Sequence, residues 1–264
     1  MAEQAKATGT EMKSPLDDSL KDYLRTAVNR LEGMINPPAA WLSAILCRIQ
    51  HDMGILSDQD SCFVEIGVFK GLFLALLDES TTEYSFPIVG IDPFMIDGQD
   101  LGTVTAGLAA NGTNMSRISL VKALSNETDA FEPLLQGKKA HLIHVDGSHR
   151  LHDVVHDLHL ADRLVADDGI VIADDFPKQW QLEVLEAVIL YLHSDNPQLV
   201  PFAVAGTKLY LCRKEMTRAY QQRIEQYAYS NQDAGSCAQL VDHLENHQQW
   251  RSYQPLRGSD VLMF

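Results

Sequence analysis

Five short apolar runs, "CFVEIG", "PIVGID", "RISLVKA", "AHLIHVD" and "GIVIADD", recur between residues 62 and 175. Each is continuously apolar rather than alternating. That is the pattern of strands buried on both faces, hence of a parallel sheet. The longer amphipathic stretches between them, "VVHDLHLADRLVADDG" and "QLEVLEAVILYLHSDN" among them, read as the crossover helices that parallel strands require. "PFAVAGTKLYLCRK" is different: two strand-like runs meet at "AGT", a hairpin signal. The expected fold class is α/β, a doubly wound, mostly parallel sheet closed by a C-terminal antiparallel hairpin strand.

With 264 residues the chain is long enough for one large domain or two small ones. Residues 1–15 are polar and read as a disordered tail. "SLKDYLRTAVNRLEGMI" spaces Leu20, Tyr23, Leu24, Leu31 and Met34 as a helix would, and "PPAAWLSAILCRIQHDM" starts a second helix behind two prolines. These two give a helical cap over 16–56. The main domain is expected over 57–214, and a helical extension over 215–264 that ends in the apolar "DVLMF".

The net charge of −15 repels phosphate backbones and anionic lipid, so neither a nucleic acid nor a membrane is an expected partner. No run is long and uncharged enough to span a bilayer, and the first residues carry no apolar signal core. Cys47, Cys62, Cys212 and Cys237 show no paired spacing and read as cytosolic thiols. A cytoplasmic protein acting on a small molecule is the expectation. A homo-oligomer is left open.

In "FVEIGVFKG", Glu65, Gly67 and Gly71 directly follow a strand. Gly67 allows a tight turn and Gly71 a close backbone approach. Glu65 stands where a dinucleotide fingerprint has its first glycine, which argues against a pyrophosphate ligand and for one bearing an ammonium group. The second strand ends in Asp92, placed to bind ribose hydroxyls. Taken singly these are a helix-capping turn and a solvated aspartate; together and in order they favour nucleoside binding.

These residues resemble the first motif and the ribose acid of class I S-adenosylmethionine-dependent methyltransferases, a Rossmann-like family whose seventh strand is antiparallel. "ALSNE" is similar to the family's adenine-side loop, which implies a contact from Ser125. The resemblance covers residues 60–213 and implies S-adenosylmethionine as cofactor, with Glu65, Gly67, Gly71, Asp92, Ser125 and Asp146 binding it.

Strand four ends at Asp146, and strand five at Asp174 and Asp175. In a parallel sheet both ends lie on one edge, so three carboxylates converge there. Their mutual repulsion calls for a cation, and all-oxygen ligation suits Mg²⁺. One of the pair could instead cap the next helix. The "VDGSH…ADDF" pattern resembles metal-dependent O-methyltransferases of macrolide sugars and aminocoumarins, and cephalosporin hydroxylase-like proteins. That likeness implies Asp146, Asp174 and Asp175 as metal ligands. Asp174 departs from the glutamate many relatives carry.

A histidine ladder follows. At about 100° per residue, Val154, Leu158, Ala161 and Val165 share one face, and His152, His156 and His159 lie nearly opposite, toward solvent. His152 and His156 could clip a metal ion, but no third ligand type converges on them. His149 instead precedes the helix, three residues after Asp146, where an imidazole can reach a substrate hydroxyl; its position matches the base implied by the macrolide relatives. The reading is therefore Mg²⁺-dependent methyl transfer to a hydroxyl of a small glycoside, polyketide or catechol-like acceptor, with His149 catalytic. The alternatives are a cephalosporin hydroxylase-like or metal-free methyltransferase, and a non-catalytic nucleoside-binding protein. The acceptor pocket is expected from residues 16–56, the loop 97–117 and the segment 176–182 with Phe176 and Trp180.

Overall fold

The computed structural model describes residues 16, 18–26, 31–96, 98–246 and 252–264. The tail 1–15 lies outside the described residues. Helix α1 (Asp18–Thr26) is followed by α2 (Pro37–Asp52), which carries both prolines in its first turn and is capped by Asn36. The helix expected through Met34 ends earlier: residues 27–30 are not described, 31–33 form a bend, and Met34 is 88% exposed.

The parallel core consists of β1 (Phe63–Ile66), β2 (Ile88–Asp92), β3 (Ile118–Lys122), β4 (Ala140–Val145) and β5 (Val165–Ala173). Between them run α3 (Leu72–Glu79), α4 (Leu101–Ala110) and α5 (Leu151–Leu164). After α6 (Leu182–Leu192), β6 (Leu199–Ala205) and β7 (Lys208–Arg213) form the hairpin, and β7 pairs antiparallel with β5. Adjacent residues of the strands point to opposite faces. Phe63, Ile88, Leu142 and Ile170 join one apolar cluster, with α1 to α4, while Val64, Val89, Ile143 and Val171 join the other, with α5 and α6. Burial on both faces is the physical origin of the unbroken apolar runs.

Three expectations need correction. The segment 97–117 is not a plain loop; it holds α4, capped by Asp100, whose side chain accepts from the Thr103 N–H. Residues 165–169, read as the end of a helix, begin β5 and reach the sheet through a register shift. The C-terminal extension is only partly helical. After α7 (Thr217–Ser230) and α8 (Gly235–Glu245) come β8 (Tyr253–Leu256) and β9 (Ser259–Met263), which continue the sheet in the order β3-β2-β1-β4-β5-β7-β6-β9-β8. The cause is the bare edge of β6: β9 pairs parallel to it and buries Val261 and Leu262. The sheet thus runs past residue 214, the expected end of the domain.

Because β2 and β4 flank β1 and the order reverses there, a crevice opens at the carboxyl ends of β1 and β4. Arg117, at the start of β3, stabilises the opposite end of the sheet. Its Nε donates to Asp78 Oδ1 at 2.7 Å and its Nη2 to the Asp78 carbonyl at 2.7 Å, with both side chains nearly inaccessible. Removing one partner leaves the other charge buried alone. Arg117→Ala is therefore expected to cost about 3–5 kcal/mol of unfolding free energy, measured by urea denaturation; a loss below about 1 kcal/mol would show that water replaces the arginine.

Candidate functional site

The residues expected to bind a cofactor begin at the β1–α3 turn. Gly67 has φ of 87°, and a Cβ there would stand 2.0 Å from the Asp146 carbonyl oxygen, so only glycine lets the turn pass the end of β4. Gly71, with φ of 84°, starts α3 against Leu108. Asp92 holds the turn: its Oδ2 accepts from the N–H groups of Val68 at 2.9 Å and Phe69 at 3.0 Å, and its Oδ1 from Phe94 at 2.6 Å. Asp92 is thus engaged by the turn's backbone instead of being merely solvated, with a lone pair on Oδ1 still free to accept.

Glu65 is buried, and its Oε1 lies 3.0 Å from His144 Nδ1. Its other oxygen, Oε2, has no hydrogen-bond partner among the described residues. Burial pushes its carboxyl well above the ordinary value, and the nearby Asp146 adds to this. The residue borders a small cleft with Gly67, Phe69, Asp146 and Lys208, covered by Gly33, Met34 and Ile35. An orphaned carboxylate oxygen beside a glycine turn fits a ligand that brings an ammonium group.

The expected metal and catalytic residues lie one strand away. Asp146 follows β4, and Asp174 and Asp175 follow β5, so the structure brings the three expected carboxylates to one edge. They are not bare. Asp174 Oδ2 accepts from Lys208 Nζ at 2.5 Å, while its Oδ1 accepts from the Asp175 N–H at 2.7 Å and the Thr207 hydroxyl at 3.2 Å. Burial alone would raise Asp174, but the Lys208 ammonium outweighs it and holds the carboxyl below the ordinary value. Asp175, at φ of 59°, accepts from Lys178 at 2.5 Å. Asp146 has no lysine of its own within hydrogen-bonding reach among the described residues. Loss of water around it pushes its carboxyl up to about 7.

His149 Nε2 lies 3.1 Å from Asp175 Oδ2 and 3.9 Å from Asp146 Oδ1. Both carboxylates can only accept, so a proton on Nε2 would face them as a charge contact. Nδ1 then accepts from the Gln181 amide at 2.8 Å. Asp146 and then Asp175 raise the His149 pKa against the effect of partial burial. His149 borders a cavity of about 580 Å³ with Arg150, Gln179, Trp180, Gln181 and Leu182. Phe176 is buried in the core instead of lining it. Of the ladder, His152 and His159 are exposed; His156 is half-buried, with Nε2 unpartnered among the described residues. His144, Lys178, Gln181 and Lys208 were not singled out from sequence; a lysine opening the otherwise apolar "KLYLC" was the available signal.

Ser125 is half-buried after β3, close to the Asp157 carboxylate on α5 and lowering its pKa against the effect of burial. Burial pushes Asp157 up to about 6 from 3.8. The folded chain therefore holds this proton more tightly than the unfolded chain. The resulting stabilisation is full below about pH 4 and is lost as pH rises through about 6. Asp157→Asn keeps the side chain's size and removes the titration. Relative to wild type, the variant is expected to gain on the order of 1–3 kcal/mol between about pH 4 and pH 8. Thermal melts across that range check this; a stability difference independent of pH would refute the assignment.

A methyltransferase-domain family model matches residues 64–176. An uncharacterized protein of Acanthamoeba polyphaga mimivirus is 30% identical over 134 residues, which cover 49% of this chain and 58% of that protein. The chain thus spans less than two thirds of the curated relative it matches. An SAH-bound Podospora anserina methyltransferase superposes with a TM-score of 0.53 at 14% identity, covering 75% of this chain and 89% of that one. The apo structure of a TDP-rhamnose 3'-O-methyltransferase of calicheamicin biosynthesis gives 0.50 at 17% identity, covering 76% and 96%. At such identities these structures share the fold. The glycine turn, the reversal at β1 and β4 and the antiparallel β7 agree with the methyltransferase-domain model that residues 64–176 match, and the fold is that of the Rossmann-like methyltransferases.

Proposed function

We propose that the protein transfers a methyl group from S-adenosylmethionine to a hydroxyl oxygen of a small acceptor bound in the cavity beside His149. The observation that carries this reading is the His149–Asp175 pair. It stands at the rim of a cavity, on the strand next to the glycine turn, with a basic ring nitrogen facing a cavity-lining side chain. S-adenosylmethionine supplies an electrophilic methyl group on a sulfonium, so the protein has to align the acceptor and remove one proton.

On this reading Glu65 Oε2 receives the cofactor's ammonium, Asp92 Oδ1 a ribose hydroxyl, and Ser125 borders the base. The acceptor hydroxyl takes the place of the Gln181 amide at His149 Nδ1 and gives its proton to that nitrogen. Asp175 keeps the other proton on Nε2 and stabilises the imidazolium that forms, as an orienting carboxylate does in a catalytic triad. The exposed faces of Trp180 and Leu182 offer apolar contact to the acceptor, and Arg150 and Gln179 offer hydrogen bonds. These side chains suit a glycoside, polyketide or catechol-like acceptor.

Mg²⁺ fits part of this edge. One donor atom from each of Asp146, His149 and Asp175 lies within 4.8 Å of the others, and the carboxylates suit a hard cation. Asp146 and Asp175 would hold the ion, with Asp174 engaged by Lys208 as a neighbour. Bound there, Mg²⁺ would lower the pKa of an acceptor hydroxyl. The two lysines favour a second reading, a metal-free methyltransferase, because they already offset charge on Asp174 and Asp175.

The overall test is product mass after incubation with S-adenosylmethionine and a panel of glycosides, polyketides and catechols; no methylated product and no binding of S-adenosylhomocysteine would sink the proposal. EDTA is expected to suppress turnover and Mg²⁺ to restore it, whereas full turnover in a verified metal-free preparation selects the metal-free reading. His149→Ala is expected to slow turnover by about 10²–10⁴-fold with cofactor affinity unchanged. The wild-type rate should rise with pH through an apparent pKa above 6.5, since the unprotonated ring is the base and its pKa is raised. A variant that keeps this pH profile would remove His149 from the chemistry.

A further inference from the structure

A chain of four buried side chains crosses the sheet between the two halves of the site. Lys208 Nζ, nearly inaccessible at the start of β7, lies 2.5 Å from Asp174 Oδ2 and 2.7 Å from His144 Nε2. Its remaining donor face is turned to the Phe73 ring, 4.8 Å from the centroid. An ammonium only donates, so His144 Nε2 must accept. The imidazole proton is thereby fixed on Nδ1, which donates to Glu65 Oε1 at 3.0 Å. Phe73 stacks on the imidazole with ring centroids 3.7 Å apart, which prevents the ring from turning over. Glu65 and His144 are direct partners in the β1–β4 ladder, so the backbone register sets the last link as well.

We propose that Lys208 and His144 are positioning residues that hold the Glu65 carboxylate so that its free oxygen faces the cofactor's ammonium group. The proposal rests on the reading that this cleft binds S-adenosylmethionine. One oxygen of Glu65 is committed to His144. The other, buried beside Gly67 and without a partner among the described residues, is left to the ligand. Without the Lys208 proton on its far side, the imidazole could place its own proton on Nε2 and present a lone pair to Glu65, turning an attractive contact repulsive. The same lysine anchors Asp174. A side chain on the closing hairpin, outside the glycine turn, thus sets the geometry at both the cofactor and the acceptor side.

The test is calorimetry with two ligands. S-adenosylhomocysteine carries the ammonium; 5'-methylthioadenosine keeps the nucleoside and sulfur but lacks the amino-acid part. In His144→Leu, which leaves the Lys208–Asp174 pair intact, and in Lys208→Met, affinity for S-adenosylhomocysteine is expected to fall about 10- to 100-fold, the worth of a hydrogen bond to a charged group. Affinity for 5'-methylthioadenosine should stay at the wild-type value. A general loosening of the fold would weaken both ligands alike, and that result overturns the proposal, as does unchanged affinity for both. If Lys208→Met does not fold, His144→Leu decides. Wild-type protein that binds neither ligand overturns the cofactor reading itself, and the positioning role with it.

Discussion

The concentration of negative charge at one edge of a parallel sheet is the constraint on which the rest of the site depends. Glu65, Asp92, Asp146, Asp174 and Asp175 all stand at or just beyond strand ends on the two sides of the crevice. Like charges so close, with little water between them, would drive one another's pKa upward and splay the loops apart. The fold meets each in a different way. Backbone N–H groups of the turn bind Asp92, lysines bind Asp174 and Asp175, His144 binds Glu65, and Asp146 rises to about 7. The chemistry open to the site follows from where that compensation is complete and where it stops.

It is least complete at two carboxylates, one on each side. Glu65 Oε2 has no partner among the described residues, and Asp146 has no lysine within hydrogen-bonding reach among them. Both border the cleft beneath Gly67. A carboxylate oxygen buried without a partner is costly unless a ligand provides one. The β1–β4 junction therefore suits a cationic small molecule, and the absence of any side chain at Gly67 lets that molecule approach the backbone. The −15 net charge of the whole chain says little about this; the local arrangement decides.

The parts of this arrangement that depend on local pattern were legible in the sequence. Continuous apolar runs gave the parallel strands because both faces are covered, and the glycine turn could be placed because its φ values have few other occupants. Asp146, Asp174, Asp175 and His149 were legible through topology, since strand ends in a parallel sheet share an edge. The lysines were not. Lys208 lies 34 residues from Asp174 in sequence and meets it only because β7 runs antiparallel beside β5. Nor did the sequence announce β8 and β9. "YQPL" contains a proline and alternates weakly, and it becomes a strand by pairing with β9, which fills the edge that the β6–β7 hairpin left open. α4 was missed for a related reason: its threonines and glycines are poor helix formers, and packing of Val104 and Leu108 supplies what propensity does not.

Lysine and a divalent ion answer the same electrostatic problem in different ways. An ammonium on a buried strand offsets one charge, donates in directions fixed by the backbone, and takes no part in binding an acceptor oxygen. A metal ion offsets two charges and keeps coordination sites for exchangeable oxygens. Lys208 is committed on three sides, to Asp174, His144 and the Phe73 ring, so its role is architectural. Lys178 is not so enclosed. It sits on the loop after β5, pairs with Asp175 Oδ1, and lies 5.6 Å from the exposed Trp180 ring at the cavity mouth. A cation entering at Asp146 and Asp175 would compete with Lys178 and with His149 Nε2, and the indole face offers the displaced ammonium a second partner. The edge is thus fixed on the Asp174 side and adjustable on the Asp175 side, which faces His149 and the cavity it borders.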